Sequence, residues 1–378
     1  MDEKYKSVLA LADNIFDNST PEKPAWHSKP KHHRWDYVDG CMLKAAMDLY
    51  FATKNNKYLD FTVKYTDHFV QESGNIEGYD LNEYNIDHIN GGKMLFDLYR
   101  ATGNDKYKKA IELLYSQLQN HPRTKEGNFW HKQIYPNQIW LDGLFMAQPF
   151  YIEYDMMFGG KKVVADSISQ FKNVFRLMKD DKTGLFYHGY DESKEMFWCD
   201  KKTGLSPGFW TRAMGWYAMA LADTADKLDA EFKAEKEMLG MHLKELIDAL
   251  LKFLSPEKMF YQVTDKGHLP GNYNESSGTL GIAYSMMKGA GLGLLPVEYQ
   301  NKGKEIFDAV VSEKIVDKGG IFVLEDTCLV SGLGGMPGMG SYKLRDGSYE
   351  YYISEPRVDN DGKGVGPLLY ALAEIMHQ

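Results

Sequence analysis

The chain is short of cysteine, of excess positive charge and of long apolar runs, and each shortage argues against a class of protein. Its 378 residues include three cysteines, Cys41, Cys199 and Cys328. They are far apart, odd in number and without a CxxC pair, which argues against a disulfide framework and a thiolate zinc site. Free cysteines of this kind read as small buried apolar residues. Lysine and arginine total 44 against 53 aspartates and glutamates, a formal net charge of −9. The electrostatic footprint of a nucleic-acid binder is therefore missing, and the basic stretch Lys29 to Arg34 is too short and histidine-rich to restore it. No apolar segment approaches the roughly 20 residues that cross a bilayer, so no membrane partner is expected. The N-terminus, MDEKYKSVLALADNIF, lacks the basic start, apolar centre and small-residue cleavage site of a signal peptide. It reads as an amphipathic helix with Val8, Leu9, Leu11, Ala12 and Ile15 on one side. The expected location is the cytoplasm, or the periplasm if a signal peptide precedes this sequence, and the expected state is a monomer or weak homo-oligomer. GxGxxG after a strand is also missing, so the glycine-rich GLGGMPGMGSYKLRDG reads as a rim loop and not as a phosphate cradle.

What the chain does contain is a repeat. Asp48 to Tyr58 reads DLYFATKNNKY and Asp97 to Tyr107 reads DLYRATGNDKY, an offset of 49 residues. A period in this range marks stacked helix pairs. The first helix of each pair, in GCMLKAAMDLYFAT and GGKMLFDLYRAT, is apolar almost all round and should be buried. The ATxNxKY segment ends it and starts the next. The second helix, as in KYKKAIELLYSQLQNH, has one apolar stripe and belongs outside. Weaker pairs follow from Leu141, from Trp210 and from Gly278, and the terminal helices supply a sixth. Six inner and six outer helices form an (α/α)6 barrel, an all-α fold expected here as a single domain over residues 1–378. An open solenoid is the alternative, but the long loops His121 to Gln138 and Ser331 to Lys363 favour the barrel, where they would gather at one mouth.

The starts of the inner helices carry the chemistry. Asp36, Tyr37 and Asp39 precede the first, Asp87, His88 and Asn90 the second, Trp140 and Asp142 the third. His188, Trp210, Arg212 and Trp216 belong to the fourth approach. In a barrel these starts share one rim, although Asp and Asn are also ordinary helix N-caps. Asp142 stands out because Trp140, Leu141, Gly143 and Leu144 surround it; such a setting desolvates a carboxylate and favours its protonated form. Arg212 offers a planar fork suited to a carboxylate partner, with a salt bridge to a buried acid as the competing reading. Tyrosines (25) and tryptophans (7) recur near helix ends; each can be a stacking platform for a sugar or an ordinary core ring. His32 and His33 have no second histidine or acidic motif at helical spacing, so neither metal nor cofactor is expected.

The runs WHKQIYPNQIWLDGLFMAQPF, SPGFWTRAMGWYAMAL, ESSGTLGIAYSMMKG and GSYEYYISEPRVDNDGKGVGPLL together resemble glycoside hydrolase family 105, the unsaturated rhamnogalacturonyl hydrolases. The resemblance covers nearly the whole chain, in order. It implies an (α/α)6 barrel, a metal-free site and hydration of a 4,5-unsaturated uronic acid at the end of a lyase-generated oligosaccharide. It implies Asp142 as the catalytic residue and Asp87 as the second pocket aspartate. His88, His131, Trp140, His188, Trp210, Arg212 and Trp216 complete the implied substrate-binding set. The runner-up within the class is an unsaturated glucuronyl hydrolase acting on ulvan-like or glycosaminoglycan-like fragments. Outside it stand a sugar-binding module, which would not need the apolar setting of Asp142, and a helical epimerase, which would use paired histidines such as His88 and His188.

Overall fold

The computed structural model describes residues 3–27, 34–335 and 344–377. His32 and His33, and Met336 to Lys343 of the glycine-rich loop, lie outside the described residues. Fourteen α-helices are described: α1 (Glu3–Asp17), α2 (Tyr37–Thr53), α3 (Asn56–Phe69), α4 (Asp87–Asn90), α5 (Lys93–Thr102), α6 (Asp105–Asn120), α7 (Leu141–Tyr154), α8 (Val164–Met178), α9 (Thr211–Lys227), α10 (Lys233–Leu251), α11 (Ser276–Gly291), α12 (Glu298–Lys314), α13 (Tyr349–Ser354) and α14 (Gly362–Met376). Inner helices α2, α4–α5, α7, α9, α11 and α14 pack in that order, and α14 closes the ring against α2. Helices α3, α6, α8, α10 and α12 lie outside their partners, and α1 packs on α14 and α12 to complete the sixth pair. This is the (α/α)6 barrel.

The repeat has a physical reading. Thr53 and Thr102 each return a hydroxyl to the carbonyl four residues back. Lys54 and Gly103 adopt the left-handed conformation that stops each inner helix. Asn55 and Asn104 then cap the outer helix, accepting from the backbone N–H of Lys57 and Lys106. The repeated tyrosines reach the outer helix that precedes them in the ring: Tyr58 donates to Asp13 of α1 and Tyr107 to Asp67 of α3. Tyr5 of α1 donates to Asp308 of α12, which carries the same link across the chain ends.

The second inner helix is preceded by a short helical turn of its own. Asp87 to Asn90 form their own turn, and Gly91 and Gly92 join it to α5. The break lies where the backbones nearly touch. A Cβ on Gly40 would be 2.8 Å from Cα of Gly91, and one on Gly91 would be 2.6 Å from the Trp35 ring. Pro149 inside α7 leaves the carbonyl of Phe145 without a helical donor. The buried amine of Lys93, from α5, donates to that carbonyl instead.

All inner helices begin at one mouth of the barrel. At the other, a cavity of about 240 Å³ is lined by residues from their middles and C-terminal ends and by the start of α5, with ion pairs Lys44–Asp48, Lys227–Glu153 and Lys288–Asp226. Among the described residues no helix is long and apolar enough to cross a membrane.

Candidate active site

A two-stranded ladder builds the rim around Asp142. Strand β1 (Gln138–Trp140) pairs antiparallel with β2 (Gly189–Asp191), with Trp140 opposite Gly189. The carbonyl of His188 accepts from the N–H of Leu141, so His188 is fixed beside the first turn of α7. Oδ2 of Asp142 lies 3.3 Å from Nε2 of His188. The alignment makes no hydrogen bond, and neither of these two buried atoms has another partner among the described residues. His188 is fully buried, and its Nδ1 is 2.9 Å from the phenol of Tyr352.

Asp87 has the opposite setting. Lys132 lies 2.6 Å from its Oδ2, and Nε2 of His131 is 3.5 Å from its Oδ1. Burial opposes its ionisation, but Lys132 and His131 outweigh that and hold its carboxyl below the usual range. Burial pushes His131 down to about 4, against the pull of Asp87. The His131 ring stacks on Trp140 with centroids 4.4 Å apart, and Tyr135 lies on Trp140 at 5.0 Å. Trp198, Cys199 and Leu333 extend this apolar wall. His88 faces away from it, towards Asn85 and Glu83, with its backbone carbonyl accepting from Trp35. Burial lowers the pKa of His88 as well.

Arg212 sits in the first turn of α9, 2% exposed, with its guanidinium 4.7 Å from the ring of Trp210. The close approach of α9 and α11 depends on Gly278, where a Cβ would fall 2.8 Å from the backbone N of Arg212. That approach brings Ser277 to Nη1 of Arg212 at 3.1 Å, and the carbonyl of Cys328 accepts from the same nitrogen. Ser277 in turn donates to Glu275, the buried N-cap of α11. The Nε of Arg212 is buried and has no partner among the described residues. Arg212 is therefore held through one nitrogen and makes no direct carboxylate pair among the described residues, unlike the salt-bridge reading of the sequence. The ring of His188 lies 4.7 Å from Trp210, which ties the two halves of the site together. Burial, then Asp87 and Asp36, push the phenol of Tyr37 well above its usual range, and Arg212 acts in the other direction. Tyr37 thus feels both Asp87 and Arg212. Trp216, one turn below Arg212, stacks on Phe145 at 4.9 Å inside the core.

The rim thus brings together Asp142, His188, Trp140, His131, Asp87, Trp210 and Arg212. Asp36 caps α2 through the N–H of Val38, and Asp39 accepts from Trp26, so these two carboxyls do structural work. Lys132, Tyr352 and Ser277 were missed in the sequence, although each lies within one of the runs that carry the family resemblance, and Lys132 lies directly beside His131. Among the described residues no group of three or more His, Cys, Asp or Glu side chains is arranged to hold a metal ion.

A closed ring of helix pairs gathers carboxyls, an arginine and stacked rings on one rim, a set of groups suited to holding an acidic sugar. Residues 11–378 match the profile described as Glycosyl Hydrolase Family 88. A solved family 105 glycoside hydrolase from C. acetobutylicum is 45% identical, with a TM-score of 0.91 and 100% of both chains covered. Protein Atu3128 of Agrobacterium fabrum is 37% identical over 237 residues, 61% of this chain and 98% of that one. The unsaturated rhamnogalacturonyl hydrolase YesR of Bacillus subtilis is 25% identical over 291 residues, 75% of this chain and 78% of that one. The chain belongs to the glycoside hydrolase family 88/105 group, the unsaturated uronyl hydrolases.

Proposed function

We propose that this enzyme removes a terminal 4,5-unsaturated galacturonic acid from rhamnose in lyase-generated oligosaccharides, with Asp142 as the single acid and base. The observation that carries this reading is the asymmetry of the two carboxyls. Asp87 is paired with Lys132 at 2.6 Å, whereas among the described residues the buried Oδ2 of Asp142 has the ring of His188 beside it and no lysine or arginine ion pair. A carboxyl without a fixed cation is the one suited to carry a proton; the other serves as a fixed negative charge.

Ordinary glycosidases place two carboxyls on either side of the scissile bond. An unsaturated uronate allows a different course. Protonated Asp142 donates to C4, and the cationic character that develops at C5 is shared with the ring oxygen. Asp142, now a carboxylate, takes a proton from water as that water attacks C5, and is thereby restored. The hemiketal opens to a ketone at C5, and the hemiacetal left at C1 releases the neighbouring sugar. Arg212 would receive the uronate carboxylate on the edge bearing Nε, which makes no hydrogen bond among the described residues. The Trp140–His131–Tyr135 stack would face the apolar side of the sugars.

The galacturonyl preference rests on the likeness to YesR. It is tested by kcat/KM on lyase-cut rhamnogalacturonan, ulvan and glycosaminoglycan disaccharides. The rhamnogalacturonan product is expected to lead; a glucuronyl substrate turned over faster would overturn the preference. Asp142→Asn is expected to abolish turnover of every substrate with its helical content unchanged.

A further inference from the structure

Tyr352 lies on α13, far along the chain from the other rim residues, yet it makes the one protein hydrogen bond described for the His188 ring. The phenol is fully buried, and that oxygen has no other described partner. Its ring is held from several sides. The backbone carbonyl of Tyr352 accepts from Gln262 at 3.1 Å, Gln262 accepts from the indole of Trp210 at 3.1 Å, and the ring stacks on Trp210 with planes 13° apart. A buried phenol must place its own hydrogen on an acceptor. The acceptor within reach is Nδ1 of His188. Burial, with Tyr351 and Asp142 nearby, pushes the phenol well above its usual range, so it keeps that hydrogen.

An imidazole that accepts at Nδ1 carries its hydrogen on Nε2, and the two nitrogens then have different tasks. Here Nε2 lies 3.3 Å from Oδ2 of Asp142, and a small rotation on substrate binding would complete the bond. We propose that Tyr352 is a positioning residue that locks His188 in the Nε2–H tautomer. His188 then donates to Oδ2 of Asp142 and leaves Oδ1 as the oxygen that hands the proton to substrate and takes it back from water. With the opposite tautomer, the lone pair of Nε2 would draw the acid's proton towards His188 and away from the sugar. The lock itself follows from the geometry; its catalytic consequence rests on the role proposed for Asp142.

Nitrogen NMR on protein labelled at the histidine ring nitrogens reads the tautomer directly, with His188 assigned from the His188→Gln spectrum. In the unmodified enzyme, Nε2 is expected to be the protonated nitrogen and Nδ1 the bare one; the reverse would overturn the proposal without any Tyr352 variant. In Tyr352→Phe the two tautomers should mix. With unsaturated disaccharide, kcat should fall roughly 10- to 100-fold while KM changes less than about twofold, as for other second residues that orient a histidine. An unchanged His188 signal and unchanged kcat in Tyr352→Phe would also overturn it. The expected tautomer shift in a protein that turns over no unsaturated substrate would instead retain the lock and refute the proposed function.

Discussion

The pairing of Lys93 with the carbonyl of Phe145 gives a prediction that does not depend on substrate. Pro149 removes the N–H that would meet this carbonyl, and the lysine replaces it from the neighbouring inner helix. Lys93→Met should leave a buried carbonyl unpaired, at a cost of about 1–3 kcal/mol. The same change also relieves a burial penalty, because burial brings the Lys93 amine down to about 7. Between pH 7 and about 10.5 the unfolded chain holds this proton more tightly than the folded one, so stability rises with pH across that window. The single substitution therefore mixes two opposing effects, and their balance changes with pH. A double-mutant cycle separates them. Pro149→Ala restores a helical donor to Phe145, while the burial penalty of the lysine is present in both backgrounds and cancels. Lys93→Met should be about 1–3 kcal/mol more costly with Pro149 in place than in the Pro149→Ala background. For a chain of this length that corresponds to a difference of roughly 1–4 °C in melting temperature. Chemical denaturation followed by circular dichroism measures it, with the melting curves as a second readout. Effects that add to within about 0.5 kcal/mol would refute the claim that the lysine substitutes for the missing N–H.

Two further outcomes follow from the rim and from the buried histidines. Arg212→Ala should weaken the free-acid substrate by about 1.5–3 kcal/mol in kcat/KM and a methyl-esterified unsaturated sugar by much less, as competition kinetics would measure; equal losses would mean that Arg212 acts on the fold. Burial brings His121, His131 and His242 each down to about 4. Their folded values lie below the unfolded value near 6.5, so the unfolded state takes up protons first and stability should decline as pH falls from about 6.5 to 4. The decline is on the order of 2–3 kcal/mol per histidine before relaxation; denaturant midpoints that stay level across this window would contradict the burial of these rings.

The barrel was legible in the sequence because its signals are local. The repeated Asn caps a helix two residues away, the repeated Thr bonds back four residues, and the alternation of all-apolar and one-sided helices follows from which layer each occupies. Even the pairing of the two chain ends followed from counting pairs. That Asp87 to Asn90 form a helical turn of their own, with Gly91 and Gly92 left outside α5, was not legible. It is the contact with Gly40 and Trp35, more than fifty residues earlier, that sets the bend. Within the site, Asp142, His188 and Arg212 were marked by residue type and neighbours. The partners that set their states were not. Tyr352 reaches His188 across 164 residues, and Ser277 reaches Arg212 across 65, each brought in by a different helix. Lys132 was adjacent to a quoted histidine, but a surface-type lysine beside an aromatic run gives no sign that it will pair with Asp87.

The central claim is that water adds across C4=C5 under the control of Asp142, and the fate of the double bond tests it most directly. The enzyme is incubated with an unsaturated uronyl disaccharide in heavy water, and in a parallel sample in oxygen-labelled water, and the products are read by NMR and mass spectrometry. The account predicts loss of the enol-ether absorbance, solvent deuterium at C4, and the labelled oxygen at C5 with none on the released sugar. Retention of the double bond in the product, label on the released sugar, or comparable turnover of the saturated disaccharide would contradict it.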